Sequence, residues 1–225
     1  PRRDWPIPSA REHRIQNGAS CRKDENVMNK IITIGREFGS GGREFGRRLA
    51  EQLGYAYYDQ EIIREIASRT ALSEKYVQQI VEHRPVTSFP IHTGRSFMMM
   101  YDPLMEQNQS IFRGQCEILQ QMAEKSDCVI VGRCADYILR DRNPLRIFIY
   151  AEMSSKLQRC RTKVHETRTD KELRQQILRV DKDRAHYYEY YTGQKWGARE
   201  SYDLCLNTTN IGIKQAVSMV AKMFG

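Results

Sequence analysis

The feature that most constrains the fold is a glycine-rich turn between a short apolar run and a helix-like pattern, ITIGREFGSGGREFG at residues 32–46. Five glycines fall within twelve residues of this stretch. We predict a strand that ends at Ile34, a tight loop, and a helix that opens near Arg43. A loop of this kind turns backbone N–H groups toward one concavity beside a helix N-terminus, which favours a bound phosphate. A tight strand–helix turn without a ligand is the alternative interpretation.

Two well-known phosphate-binding patterns do not fit the loop. The dinucleotide fingerprint G-x-G-x-x-G breaks because Glu44 stands where the third glycine belongs. The Walker pattern G-x-x-x-x-G-K-[ST] also breaks, because Gly42 occupies the lysine position when Gly39–Gly41 are matched to its glycines. A nucleotide bound here therefore needs a cation from elsewhere to neutralise its phosphates.

Apolar runs and helical patterns alternate along the rest of the chain. Strands are predicted at YAYYD, CVIVG, RIFIYA and YDLCLN, with helices between them. Ser73 is predicted to cap one helix, and Thr169 with Glu172 forms a capping box for another. Residues 84–108, which include three consecutive methionines, are expected to form a connection without regular structure. This alternation predicts an α/β fold, a doubly wound parallel sheet.

Composition and charge narrow the class of protein. Hydrophobic residues make up 40% of the 225 and charged residues 28%, and no apolar run approaches the ~18 residues that a membrane span needs. We therefore expect a soluble protein without a membrane partner. Six cysteines are scattered without a C-x-x-C pair, which favours reduced thiols in the cytoplasm and argues against a zinc site.

The net charge of +8 lies mostly between residues 133 and 199, where 16 Lys or Arg residues face 9 Asp or Glu. These basic residues fall on helical patterns without a nucleic-acid reading motif, so a small polyanionic substrate explains them equally well. We therefore do not expect nucleic acid as a partner.

Four ordered segments carry a resemblance to a known family. They are ITIGREFGSGGREFGRRLAEQLGYAYYDQEII, CVIVGRCADYIL, RIFIYA and RVDKDRAHYYEYYTGQKWG followed by YDLCLNTT. Together they resemble the cytidylate-kinase-like family, a branch of the P-loop nucleoside monophosphate kinases, over residues 29–225. The resemblance implies a three-layer P-loop kinase fold with a five-stranded parallel sheet, an acceptor-binding insert at about residues 59–110 and a helical lid at about 155–195. Residues 1–28 are polar and aperiodic and are expected to be a disordered or extended N-terminal segment.

The implied activity is phosphoryl transfer from ATP, with Mg²⁺, to a nucleoside monophosphate such as CMP or dCMP. In the resembling kinases a loop lysine bridges the β- and γ-phosphates. Arg43 is the nearest cationic substitute here and Arg36 the second choice. The expected ATP-phosphate site comprises Arg36, Gly39, Ser40, Gly41, Gly42 and Arg43. No residue is assigned directly to a metal.

The acceptor site is expected where parallel strands end, since ligands of open α/β sheets bind at that edge. Asp59 ends a strand, where carboxylates in related kinases meet the acceptor or the metal shell, although it could instead cap the next helix. Arg133 resembles the arginine that clamps the acceptor phosphate, and Asp136 could orient Arg133 or the acceptor. Arg64 resembles a second acceptor-phosphate arginine but lies one residue closer to Asp59 than is usual in the family.

The lid is expected to supply further charge to a transition state that positioning and electrostatics stabilise. The resemblance gives catalytic roles to Arg159, Arg161, Arg179 and Arg184, and binding of the acceptor nucleotide to Asp181 and Asp183. A solvated helix face is the competing interpretation for each. The tyrosine-rich run HYYEYYTGQKWG either stacks a base or packs in the core.

Three other functions stay open at this point. The chain could be a P-loop kinase with a different small-molecule acceptor, because its YYDQEIIRE segment departs from the usual pattern. It could be a nucleotide-binding regulatory protein that has lost turnover with the loop lysine. A nucleic-acid-binding module fits the charge but not the ordered motifs. The sequence leaves the oligomeric state undetermined.

Overall fold

A computed structural model of the protein describes residues 29–82, 103–163 and 168–224. The predicted N-terminal segment, residues 1–28, therefore lies outside the described residues. Residues 84–102 of the predicted connection lie outside them as well. Within them, no helix is long and apolar enough to cross a membrane.

Five strands form one parallel sheet, as the sequence predicts. They are β1 (Ile31–Arg36), β2 (Ala56–Tyr58), β3 (Cys128–Val131), β4 (Leu145–Tyr150) and β5 (Leu204–Asn207). Their order across the sheet is β2-β3-β1-β4-β5, and every neighbouring pair is parallel. The central strand β1 aligns Ile34 with Val131 of β3 and with Ile147 of β4. The carboxyl ends of β1 and β3 therefore meet at the same edge of the sheet.

Eight helices surround this sheet in the described residues. They are α1 (Gly42–Leu53), α2 (Gln60–Thr70), α3 (Glu74–Glu82), α4 (Pro103–Lys125), α5 (Ala135–Ile138), α6 (Met153–Lys163), α7 (Asp170–Thr192) and α8 (Ile213–Ala221). Ser73 caps α3 by accepting from the Tyr76 amide at 3.3 Å, and the Thr169–Glu172 capping box opens α7. Both predicted caps are confirmed.

Successive side chains of the central strands belong alternately to two hydrophobic layers, one on each face of the sheet. Ile32 and Ile34 of β1 pack with α1 and α8 on one face, whereas Ile31 belongs to the layer that packs against α2, α3 and α4. Cys128 and Ile130 of β3 belong to this second layer, and Val129 and Val131 to the first. Strands buried on both faces need such continuous apolar runs, which explains the CVIV pattern. The result is a three-layer α/β fold.

Two predicted boundaries are wrong. β1 runs to Arg36 rather than ending at Ile34, because its amides and carbonyls still pair with β4 through Ile149. Helix α4 begins at Pro103, so residues 103–108 are helical rather than part of an irregular connection. Proline is well suited to a first helical turn because its missing N–H would find no partner there.

Candidate active site

The loop between β1 and α1 folds back on its own backbone. Gly39 and Gly41 adopt φ values of 75° and 85°, in the left-handed region that favours glycine. The Ser40 hydroxyl is fully buried, donates to the Glu37 carbonyl at 2.8 Å and accepts from the Gly42 amide at 3.4 Å. Gly41 precedes α1 without a side-chain cap, so the positive end of a twelve-residue helix faces the loop. This is the geometry that binds an anion.

The back of the loop is fastened to two other elements. The Ser40 carbonyl accepts from the Thr208 hydroxyl at 2.7 Å and from Arg159 Nη1 at 3.2 Å. Arg159 also donates to the hydroxyl and the carbonyl of Thr208. The structure therefore places the Arg159 guanidinium behind the loop, joining α6, the loop and the segment after β5. Burial lowers the pKa of this guanidinium.

A lysine that the sequence analysis missed lies beside the loop. Lys156 of α6 is buried, and its Nζ lies 2.7 Å from Glu37 Oε2 and 3.2 Å from Asp181 Oδ2. The other oxygen of Asp181 accepts from the Phe38 amide at 2.6 Å. Asp181 thus ties α7 to the loop, while Lys156 neutralises the two carboxylates. The signal was present in the sequence, since Lys156 precedes Arg159 by three residues and shares its helix face.

Arg43 is held by an ion pair at the mouth of the loop. Its Nε lies 2.5 Å from Asp59 Oδ2, although the Arg43 side chain is 55% exposed and that of Asp59 only 4%. Asp59 occupies the residue before α2 but makes no capping hydrogen bond. Its other oxygen, Oδ1, is buried and has no hydrogen-bond partner among the described residues. Asp59 therefore keeps an acceptor available for a ligand.

Three arginines converge on one pocket at the ends of β1 and β3. Arg184 of α7 donates through Nη1 to the Arg36 carbonyl at 3.2 Å, and Arg36 and Arg133 line the same pocket. Burial, together with the charges of Arg184 and Arg133, lowers the pKa of Arg36 to about 9, while the charge of Asp59 opposes this shift. A cluster of like charges of this kind is stabilised by an anion. The pocket walls also include Tyr187, Tyr188, Trp196 and Tyr202.

Arg133 lies in an unusual backbone segment. Gly132, Arg133 and Cys134 have consecutive φ values of 73°, 59° and 53°. Left-handed conformation costs a residue with a side chain about 1–3 kcal/mol and is concentrated at functional sites. Gln115, which is fully buried, fixes the turn by donating to the Arg133 carbonyl at 2.9 Å. Arg133 is itself buried, with Nη1 3.4 Å from the Val81 carbonyl.

Asp136 lies one turn beyond Arg133 and is buried against α7. Its Oδ2 accepts from the Tyr188 hydroxyl at 2.7 Å. Burial raises the pKa of this carboxyl, and the hydrogen bond from Tyr188 opposes the rise. Gln194 Oε1 lies 3.2 Å from the same hydroxyl. The Asp136 carboxylate therefore forms part of the pocket wall that carries the aromatic residues.

The tyrosine-rich run divides between the core and the pocket. Tyr191 stacks on Phe112, with ring centroids 4.0 Å apart and planes 9° apart. Tyr187 and Tyr188 are buried and line the pocket. The core-packing interpretation is therefore confirmed for Tyr191.

The remaining predicted site residues are not brought into this pocket. Arg64 is exposed and pairs with Glu61 at 3.0 Å, and Arg161 is exposed and pairs with Asp170 at 2.5 Å. Arg179 is exposed on α7. Asp183 is partly buried but follows Asp181 by two residues, which places it on a different side of the helix. The residues that share the site are therefore Arg36, the loop, Asp59, Arg133, Asp136, Asp181 and Arg184.

Comparisons with known proteins agree with this architecture. A model of the cytidylate kinase-like family matches residues 31–210. A cytidylate kinase from Desulfurococcus amylolyticus is 25% identical over 194 residues, which cover 86% of this chain and 91% of that protein. An uncharacterized protein from Eubacterium ventriosum is 28% identical, with a TM-score of 0.64 over 87% of this chain and 97% of that one.

A shikimate kinase from Bacteroides thetaiotaomicron is 14% identical, with a TM-score of 0.52 over 87% of this chain and 98% of that one. At this identity the likeness concerns the fold alone. Because the family match spans most of the chain, from β1 to the loop after β5, the protein belongs to the cytidylate kinase-like family.

Proposed function

We propose that this protein transfers the γ-phosphoryl group of ATP to a nucleoside monophosphate, with CMP and dCMP as the first candidate acceptors. The observation that carries the proposal is the position of the three-arginine pocket. Arg36, Arg133 and Arg184 converge at the ends of β1 and β3, next to the uncapped start of α1. One anion site for the donor and one for the acceptor therefore lie at the same edge of the sheet. The cytidylate kinase relative supports the choice of acceptor.

In this reaction the bond between the γ-phosphorus and the β–γ bridging oxygen breaks, and its electron pair leaves with ADP. An oxygen of the acceptor phosphate forms the new bond to the γ-phosphorus, and the products are ADP and a nucleoside diphosphate. The loop amides bind the donor phosphates, while Arg133 and Arg184 hold the acceptor phosphate against it. No nucleophilic side chain is needed for such a direct transfer.

Magnesium is the usual companion of ATP in kinases, and the chain offers a fitting partner. No group of three or more metal-ligating side chains occurs among the described residues. Mg²⁺ commonly binds through one or two carboxylates together with substrate phosphates. Asp59, with a buried and unpartnered Oδ1, is the residue that would hold it. When bound, the ion would neutralise charge on the phosphates.

A kinase with a different acceptor is the second candidate, and one observation favours it. Arg64, which the family resemblance gives to the acceptor phosphate, is exposed and paired with Glu61. An acceptor with fewer phosphate contacts would suit that arrangement.

The test is purified protein with ATP and Mg²⁺ and a panel of CMP, dCMP, UMP, AMP and shikimate. We expect transfer to CMP or dCMP. Arg133→Ala should raise the KM for the acceptor about 100-fold while leaving the Kd for ATP nearly unchanged, because a charged hydrogen-bonding group is lost only at the acceptor. Arg47→Ala is the control, since Arg47 is exposed and pairs with Glu51 on the outer face of α1.

Transfer to another panel member would establish the second candidate instead. Tight ATP binding without any transfer would identify a regulatory nucleotide-binding protein. Equal loss of acceptor and ATP affinity in Arg133→Ala would contradict the division of the site into donor and acceptor halves.

A further inference from the structure

The side chain of Arg36 fills the space above Gly42. A Cβ atom built at Gly42 would lie 2.5 Å from the Cβ and 3.1 Å from the Cγ of Arg36, and 3.3 Å from the Cβ of Ile149. Any side chain at position 42, including a lysine, would therefore collide with the stem of Arg36. Gly42 stands at the lysine position of the Walker pattern G-x-x-x-x-G-K-[ST] when Gly41 is matched to its second glycine, and Arg36 then stands at the position of its first glycine. The missing lysine and the arginine at position 36 are thus two parts of one arrangement.

The other end of the Arg36 side chain lies against a second glycine. A Cβ built at Gly132 would lie 1.8 Å from Nη1 and 2.8 Å from Cζ of Arg36. The guanidinium therefore rests on the bare backbone at the end of β3, immediately before Arg133. Arg36 thus extends from the start of α1, where the donor phosphates are expected, to the pocket expected for the acceptor. A cation that serves phosphoryl transfer belongs between these two places.

Two other cations near the loop already have their charge compensated. Lys156 lies between the carboxylates of Glu37 and Asp181. Arg43 is paired with Asp59, and more than half of its side chain is exposed. Within residues 29–82, 103–163 and 168–224, by contrast, no carboxylate forms an ion pair with the Arg36 guanidinium. The charges that act on Arg36 come mainly from Arg184 and Arg133.

We propose that Arg36 is the catalytic cation that replaces the loop lysine, with its guanidinium on the transferred phosphoryl group, and that Gly42 and Gly132 make room for it. This inference rests on the proposed function and assigns the neutralising charge to Arg36 instead of Arg43. The pKa of Arg36, which burial lowers first and the charges of Arg184 and Arg133 lower next, agrees with it, because an incoming anion favours the charged guanidinium.

The first test removes the charge and keeps the shape. Arg36→Gln retains a stem over Gly42, so the fold is expected to remain intact by circular dichroism and thermal unfolding. We expect kcat to fall about 100- to 1000-fold, the usual effect of losing one electrostatic contact to a transition state. Arg47→Ala serves as the matched arginine control on α1.

The second test moves the cation from position 36 to position 42. Arg36→Gly leaves the space above position 42 empty, and Arg36→Gly combined with Gly42→Lys places an ammonium there. We expect the double variant to recover at least about tenfold in kcat over Arg36→Gly. Gly42→Lys with Arg36 retained should lower the unfolding temperature, because the new side chain meets the arginine stem.

A binding measurement separates this inference from the proposed function. Inorganic tripolyphosphate, titrated calorimetrically, needs no acceptor and no turnover. We expect its Kd to rise about tenfold in Arg36→Gln, to recover in the double variant and to stay unchanged in Arg47→Ala. If wild-type protein transfers phosphate to no acceptor but shows this series, the proposed function fails and the phosphate-binding role of Arg36 stands. Unchanged kcat and unchanged tripolyphosphate affinity in Arg36→Gln would overturn the inference, as would a folded double variant no better than Arg36→Gly.

Discussion

Charged side chains at this site differ in how completely their neighbours compensate them. Lys156 lies between two carboxylates, and Arg184 Nη1 lies 3.7 Å from Asp181 Oδ1, whereas the Arg36 guanidinium forms no ion pair with a carboxylate of the described residues and shares its pocket with Arg133 and Arg184. The first arrangement stabilises the loop in the free protein. The second raises the energy of the free protein and is relieved by an anion. Ligand binding and fold stability therefore depend on different members of the same basic cluster.

Two aspartates should respond to pH in opposite directions. Burial raises the pKa of Asp136 above its ordinary value of 3.8, so the folded protein binds that proton more tightly than the unfolded chain does. The stability that this proton contributes is complete below pH 3.8 and is lost as pH rises through the folded pKa. Relative to Asp136→Asn, the free energy of unfolding of the wild type should therefore fall as pH rises from about 4. Urea unfolding between pH 3 and 7 measures this difference.

Asp203→Asn is the matched comparison. The bidentate hydrogen bonds from Arg146 lower the pKa of Asp203, so its contribution is present above pH 3.8 and is lost as pH falls through the folded pKa. The difference between wild type and Asp203→Asn should thus shrink toward acid pH. The stability difference from wild type, plotted against pH, should therefore slope in opposite directions for Asp136→Asn and Asp203→Asn. The same slope for both variants would show that burial of Asp136 does not govern its titration.

Single residues were predictable from sequence where local chemistry alone decides their role. Gly39, Gly41 and Ser40 follow from the loop pattern, and Arg133 from its place directly after a buried strand. The proposed choice of Arg36 over Arg43 could not be made from the sequence, because it depends on which side chain lies over Gly42 in the folded protein. Such an exclusion is a property of packing between residues brought together by the fold.

At the scale of elements, two glycines in or next to helices should have opposite effects when replaced by alanine. Gly54 ends α1 with φ 71°, and nothing lies within 4 Å of a Cβ built there. Gly54→Ala should lower the free energy of unfolding by about 1–2 kcal/mol through left-handed strain alone. Gly114 lies inside α4 with equally open space, so Gly114→Ala should raise it by about 0.5–1 kcal/mol.

Urea unfolding midpoints of the two variants measure both effects. Gly54→Asn is the control, because asparagine tolerates the left-handed region and should lose less stability than alanine. A loss of stability in Gly114→Ala would mean that α4 needs a glycine for packing that the described residues do not reveal.

Element types were predictable because periodicity and caps are local signals. The capping box of α7, the Ser73 cap of α3 and all five strands were recognised in this way. Boundaries were less predictable. The additional residues of β1 are paired by β4, which lies more than 100 residues further along the chain, so the pattern around Ile34 could not reveal them.

At the scale of the whole molecule, the described residues begin at Asn29, which is bonded to the end of α4. Its side-chain amide donates to the carbonyls of Ala123 and Glu124, and the Lys30 amide donates to Asp127 at 2.7 Å. A chain comprising residues 29–225 should therefore keep its ATP affinity, and its unfolding temperature should change by no more than about 2 °C. Calorimetry and nucleotide titration check this.

A chain that begins at residue 33 is the comparison, because it loses Ile31 and Ile32 from the two hydrophobic layers. This shorter chain should show no cooperative unfolding transition. Weaker ATP binding by residues 29–225 than by the full chain would instead give the first 28 residues a part in the site.

The order of the strands explains why the site could be predicted only in part. β1 and β3 are neighbours, so a parallel sheet alone places the loop near Arg133. Lys156 and Arg184 come from helices that follow later strands, and their distances from the loop depend on how those helices cross the sheet. Sequence periodicity gives the inward face of a helix but not its contacts.

The hydrogen bonds from Thr208 and Arg159 to the Ser40 carbonyl order the loop before any ligand binds. Ordering a free loop costs about 1 kcal/mol or more per residue in conformational entropy. Here that entropy is lost when the chain folds, since the loop is already clamped from behind by side chains that come from α6 and from the segment after β5. In the proposed reaction, a triphosphate would bind a loop that is already ordered, so its binding energy would remain available for the chemical step.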